Sequence, residues 1–257
     1  MPNASVTILG SGSALPTYQN SPSGQLISLN DKSFLIDCGE GVQLTIRQLG
    51  LKTNRLYSVF ISHLHGDHCF GLIGLISTLS MMKRTQPLHI YAYKDLQKLL
   101  QPLIDYHCGD MLSFELVFHH INPRKQAVIF EDRNITVETI PLKHKVPTCG
   151  FLFSEKGQKR YAYVSDTMYA PKIIPQLNSV DMLYHEATYT DEHESRCKTT
   201  THSTARQAAT IARDAEVKNL LIGHFSARVD DHQLFLYEAL EVFPNTRLAV
   251  ERKTFEF

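Results

Sequence analysis

Within Ser62-His63-Leu64-His65-Gly66-Asp67-His68, six consecutive positions from His63 carry three imidazoles and one carboxylate. Imidazole nitrogen and carboxylate oxygen are borderline-to-hard donors that suit zinc, and also iron or manganese. Four such donors in so short a loop exceed what one tetrahedral ion can take from it. The spacing therefore favours two ions, with further donors arriving from elsewhere in the chain. Gly66 supplies the tight turn that the loop needs. The chemistry open to a pair of ions of this kind is metal-assisted hydrolysis.

The elements that must position this loop can be read around it. It directly follows Tyr57 to Ile61, an apolar run that reads as a buried strand. Four more places repeat the pattern of a polar residue at the end of an apolar strand. His144 follows Val137 to Leu142, Asp166 follows Tyr161 to Ser165, His185 and Glu186 follow Met182 to Tyr184, and His224 follows Leu220 to Gly223. Together they put ligand-type side chains along one edge of the sheets. Further strands are expected at Val6 to Leu9, Gln25 to Leu29, Ser33 to Asp37, Leu88 to Tyr93, Ser113 to Phe118, Ala127 to Phe130, Gly150 to Ser154 and Leu248 to Val250. Helices are expected at Glu40 to Leu49, Phe70 to Met82, Thr204 to Ala215 and Asp231 to Val242. Many strands with helices interspersed, without regular βαβ alternation, predict an α+β fold: two mixed sheets packed together with helices outside. No stretch reads as a linker, so residues 1–257 are expected to form one domain.

Composition narrows the class. Lys+Arg and Asp+Glu balance at 26 each, which excludes a scaffold that coats nucleic acid by bulk charge, so any polyanion must meet a local patch. With 43% hydrophobic and 20% charged residues, wholesale disorder is excluded. The five cysteines are scattered without a CxxC pair, which argues against a zinc ribbon or disulfide framework. Met1-Pro2-Asn3-Ala4-Ser5-Val6 lacks the basic and apolar regions of a signal peptide, and Cys69 to Met82 is too short to span a bilayer. The expectation is a soluble, cytoplasmic protein with no membrane contact.

The residues also carry a family resemblance. His63 to His68 matches the HxHxDH signature of the metallo-β-lactamase fold superfamily. More narrowly, the chain resembles ribonuclease Z, the endonuclease that trims tRNA 3′ trailers. The matching pieces are Leu9 to Gly12, Asp37 to Gly41 with Gln43, Ser62 to Leu72, His144 to Pro147, Ser165 to Thr167, His185-Glu186-Ala187-Thr188, His202-Ser203-Thr204 and Gly223 to Arg228. The resemblance implies a four-layer αββα sandwich and two zinc ions, with manganese or iron as alternatives. One ion would be held by His63, His65 and His144, the other by Asp67, His68 and His224, with Asp166 bridging them. It further implies a homodimer acting on RNA, with precursor tRNA as substrate.

Two metals of this kind can share a hydroxide and clamp a phosphate for in-line attack on phosphorus. The family's proton acceptor maps to Asp67. His202, at a helix start and outside the ligand set, is the candidate proton donor to the leaving 3′-oxygen, and Glu186 is expected to orient it. Ser226 and Arg228, within the matching HxSxR segment, are expected to contact substrate. Lys143, Lys145, Arg196 and Lys198 flank the site and could meet a polyanion. The chain departs from the family in one place. Ribonuclease Z inserts a long arm that grips the tRNA elbow between its His144-type and Asp166-type residues, whereas here that interval is 22 positions and reads as a hairpin turned at Glu155 to Lys159. The alternative is a phosphodiesterase for small cyclic or activated diesters without tRNA activity. A non-catalytic binding protein on the same scaffold is disfavoured by the intact ligand set.

Overall fold

A computed structural model describes residues 4–109 and 112–257. Met1, Pro2 and Asn3 of the N-terminal segment considered above lie outside the described residues. The first half runs β1 (Ala4–Gly10), β2 (Gly24–Leu29), β3 (Lys32–Cys38), α1 (Val42–Gln48), β4 (Leu56–Phe60), α2 (Gly66–Cys69), α3 (Leu72–Met81), β5 (Leu88–Tyr93), α4 (Asp95–His107) and β6 (Leu116–Ile121). The second runs β7 (Val128–Glu131), β8 (Ile135–Pro141), β9 (Cys149–Glu155), β10 (Arg160–Val164), α5 (Ile174–Leu177), β11 (Met182–Glu186), α6 (Glu194–Thr200), α7 (Ala205–Asp214), β12 (Leu220–Gly223), α8 (Gln233–Leu240) and β13 (Thr246–Leu248). The chain then returns to the first sheet as β14 (Thr254–Glu256).

The strands form two seven-stranded sheets, β14-β1-β2-β3-β4-β5-β6 and β13-β12-β11-β10-β9-β8-β7. In the order written, the first has three antiparallel pairings followed by three parallel ones, and the second three parallel followed by three antiparallel. Side chains alternate across each sheet with the period of two that a pleated strand imposes. In β10, Tyr161 and Tyr163 face the inter-sheet core, while Ala162 and Val164 face the helices. In β3, Phe34 and Ile36 point inward and Leu35 outward. Three buried clusters result: one between the sheets, one under α1, α3 and α4, and one under α7 and α8. This is the expected four-layer αββα sandwich.

Local chemistry sets the helices that border the site. Thr204 caps α7 through a reciprocal capping box with Gln207. The alanines Ala205, Ala208, Ala209 and Ala212 on its buried face let it lie close to the sheet. Gly71, ahead of α3, is required by close approach: a Cβ there would sit 2.0 Å from the Gly39 carbonyl oxygen. The sequence pattern did not predict α2, α4, α5, α6 or β14. In α4 the interior Pro102 reads as a helix stop, yet Leu96, Leu100 and Ile104 still bury one face. The expected closing strand at Leu248 to Val250 is displaced to β13 at its start, and the chain then crosses to the other sheet.

The strands that matter for the site, β1, β3, β4, β8, β10, β11 and β12, end at one edge of the sandwich. Ligands of open α/β sheets gather at such carboxyl ends.

Candidate metal centre and active site

Two clusters of donor atoms meet at that edge. In the first, His63 Nε2 lies 3.0 Å and His144 Nε2 3.3 Å from His65 Nδ1. Asp166 Oδ2 lies 3.6 Å from His63 Nε2 and 3.7 Å from His144 Nε2. In the second, His68 Nε2 is 3.3 Å from Asp67 Oδ2 and 3.3 Å from Asp166 Oδ1. His224 Nε2 is 3.2 Å from Asp166 Oδ1 and 3.7 Å from Asp67 Oδ2. The two oxygens of Asp166 thus divide between the clusters. Ligands at zinc–nitrogen distance in a tetrahedron stand about 3.4 Å from one another, so both clusters have the separations a metal requires.

The opposite ring nitrogens are engaged, which leaves the converging ones as lone pairs. His68 Nδ1–H donates to Asp37 Oδ2 at 2.7 Å, and His63 Nδ1–H to Ser62 Oγ at 3.1 Å. His144 Nδ1–H reaches the Thr201 carbonyl at 3.0 Å, and His224 Nδ1–H the Thr188 hydroxyl at 2.9 Å. Such partners fix tautomer and orientation in metal-binding histidines. His68 Nε2 and His224 Nε2 are buried without any hydrogen-bond partner among the described residues. Buried polar atoms are rarely left so, and a cation at the second cluster, to which both belong, would satisfy them.

The electrostatics agree with this donor set. Burial drives His63, His65 and His144 below the usual imidazole range, keeping them neutral. Burial opposes charge on Asp67 and Asp166, but facing imidazoles, His68 for Asp67 and His224 for Asp166, outweigh it and hold both well below the usual carboxylate range. Burial also opposes charge on His68, yet Asp166, Asp37 and Asp67 around it raise it well above its ordinary value. Three carboxylates there favour a cation. The nearby thiols of Cys38 and Cys69 are pushed up by burial and stay protonated. Asp37, Asp166, Thr201 and His224 adopt left-handed backbone, a strained conformation that concentrates at functional sites.

His202 stands beside both clusters, with one ring nitrogen within 4.8 Å of Asp166 and His224 donor atoms. Its Nδ1–H donates to Glu186 Oε1 at 2.9 Å. Burial lowers its basicity, but the Glu186 carboxylate more than compensates and raises it to about 9. Unlike His63, His65 and His144, which burial keeps neutral, His202 is held as the imidazolium and so has a proton to give. Glu186 is fully buried and also accepts from the Thr167 and Ser203 amides at 2.6 and 3.2 Å.

A cleft of about 650 Å³ opens over the clusters, lined among others by Ser13, Pro16, Lys145, His202 and Ser226. Its rim, residues 13–22, is held from behind by Glu251, whose Oε1 accepts from the Ser11 amide at 3.1 Å and the Ser21 amide at 2.6 Å. Of the sequence-derived candidates, the structure brings together His63, His65, Asp67, His68, His144, Asp166, His202 and His224, with Glu186 behind His202. Ser226 lines the cleft, whereas Arg228 is exposed and outside its lining. His185 turns away, its Nδ1 on the Glu186 carbonyl. Sequence reasoning assigned no role to Asp37, Ser62, Thr188, Thr201 or Glu251. Asp37 and Ser62 carried a signal, each a polar residue at the end of a buried strand.

An αββα sandwich with paired histidine–aspartate clusters at its strand ends defines a hydrolase of the metallo-β-lactamase fold. Relatives narrow the class. Ribonuclease Z of Phocaeicola vulgatus is 45% identical over 294 positions, covering 96% of this chain and 95% of that protein. Ribonuclease Z of Azobacteroides pseudotrichonymphae is 48% identical over 279 positions, covering 96% of each. The structure of human tRNase Z, short form, superposes with a TM-score of 0.85 at 28% identity, covering 98% of each chain. A family model described as Anti-Pycsar protein Apyc1 matches residues 4–236. The chain belongs to the ribonuclease Z family and to the family which that model describes. The alignment to the P. vulgatus protein is longer than the 257 residues here, so that relative carries residues with no counterpart in this chain.

Proposed function

We propose that the chain is a dinuclear-zinc phosphodiesterase that cleaves RNA, with the 3′ trailer of precursor tRNA as its substrate. The observation that carries this is Asp166 shared between two donor clusters, with a carboxylate-held His202 at their margin. His63, His65 and His144 would hold one ion, and Asp67, His68 and His224 the other. When bound, the ions would supply Lewis-acid polarisation of phosphate and lower the pKa of water.

The chain's own groups do the rest. Asp67 faces the cleft and uses Oδ2 toward His68 and His224, leaving Oδ1 to accept the proton of the attacking water. His202, fixed through Nδ1 by Glu186, presents Nε2 to protonate the leaving 3′-oxygen. Lys145 and Ser226 line the cleft where phosphate oxygens would lie. The protein would work as a cytoplasmic homodimer of one-domain subunits, a stoichiometry that light scattering would test.

A second reading, hydrolysis of small cyclic or activated diesters, is favoured by one observation. Between β9 and β10 the chain makes only a tight turn, with the Glu155 amide on the Lys159 carbonyl and Gly157 at φ +75°. No segment there reaches a distant part of tRNA. Zinc-loaded protein should therefore be incubated with trailer-bearing precursor tRNA beside bis(p-nitrophenyl) phosphate, with Asp67→Ala as control. Cleavage after the discriminator base, lost in the variant, supports the RNA reading. Hydrolysis of the small diester alone supports the second and overturns the first.

A further inference from the structure

A second cleft, of about 630 Å³, adjoins the catalytic one at His202, which is a wall of both. Met168, Tyr169, Cys197 and Lys198 complete much of its lining. It starts close to the chemistry: Met168 is two residues beyond Asp166, and its amide is anchored on the Lys143 carbonyl at 3.0 Å. Tyr169 is 38% exposed, and among the described residues its hydroxyl has no hydrogen-bond partner and its ring no aromatic neighbour. Lys198 is exposed and forms no ion pair among the described residues.

In-line displacement fixes which part of a substrate belongs there. The attacking and leaving oxygens sit on opposite sides of phosphorus, and the proton donor must touch the leaving one. With His202 as donor, the group attached to the leaving 3′-oxygen extends past His202, away from Asp67. The wall chemistry suits a flat, neutral body. Met168 and Tyr169 offer apolar and aromatic surface, and the Glu194 carboxylate in the lining disfavours phosphate inside the cleft. We propose that this cleft is the subsite for the nucleoside whose 3′-oxygen leaves, with Tyr169 the stacking face for its base and Lys198 opposing the next phosphate upstream. Stacking on an aromatic ring tolerates any base, so the subsite demands a base without choosing its sequence.

The inference rests on the RNA-cleaving reading, and one experiment separates the two. Trailer-bearing precursor tRNA is prepared with the base present or removed at the nucleotide immediately 5′ of the cleaved bond. KM and kcat are measured for the wild type, Tyr169→Ala and Tyr169→Phe, with zinc content and melting temperature recorded for each. In the wild type, base removal should raise KM about tenfold, the size of one base–aromatic stack. In Tyr169→Ala the intact substrate should already show that rise and base removal should add little, while Tyr169→Phe should match the wild type. An equal penalty for base removal in wild type and Tyr169→Ala, or no penalty in either, overturns the subsite. If the wild type leaves intact precursor tRNA uncut, the RNA reading falls and the subsite falls with it.

Discussion

Replacing Glu186 by Gln tests the proton donor most sharply, because it removes one charge and almost no volume. In the wild type burial disfavours the His202 imidazolium, the Glu186 carboxylate 2.9 Å away restores it, and the ring titrates at about 9. The sign is that of a raised histidine: the proton is present below about 9 and lost as pH climbs through it. In the Glu186→Gln variant only the burial penalty and weaker neighbours remain, so the ring should fall to its ordinary 6.5 or below. At about pH 7.5 the protonated fraction would drop from about 97% to about 9% or less, roughly a tenfold loss in turnover where leaving-group protonation limits the rate. The alkaline limb of the pH–rate profile should move down by about two units or more. The assay is kcat against pH on the RNA substrate and on bis(p-nitrophenyl) phosphate, whose nitrophenolate departs without a proton. The RNA profile should shift and the small-diester profile should not. An unmoved alkaline limb, or equal losses on both substrates, would refute His202 as donor. Metal analysis guards against the trivial outcome that the neighbouring clusters were disturbed.

Two further substitutions probe the supports. Asp37→Asn removes the carboxylate that grips His68, so zinc affinity should weaken about 10- to 100-fold in a chelator competition; unchanged affinity would mean that His68 is held by packing alone. Gly71→Ala drives a methyl group against the Gly39 carbonyl, and should cost about 1–3 kcal/mol, read as a melting temperature lowered by several degrees.

The donor residues were legible because their chemistry resides in residue type. Histidine and aspartate crowded into His63 to His68, or placed singly after apolar strands, point to metal whatever the fold. The layers were legible for a related reason, since runs such as Tyr161 to Val164 declare a buried strand. The residues that orient the donors were not. Serine, threonine and tyrosine are common, and they meet their partners only through tertiary structure. Thr201 lies 57 positions from His144, and Tyr163 donates to Asp37 across 126. The helix α4 hid behind Pro102. The strand β14 hid because three residues pairing with β1 across nearly the whole chain leave no local pattern.

That late crossing orders events during synthesis. Ser11 leaves the ribosome early, but the carboxylate that pins its amide belongs to Glu251, 240 positions later. Every donor from His63 to His224 is translated before that pin exists. The rim of the cleft thus takes its support from a segment that lies later in the chain than every donor of the two clusters.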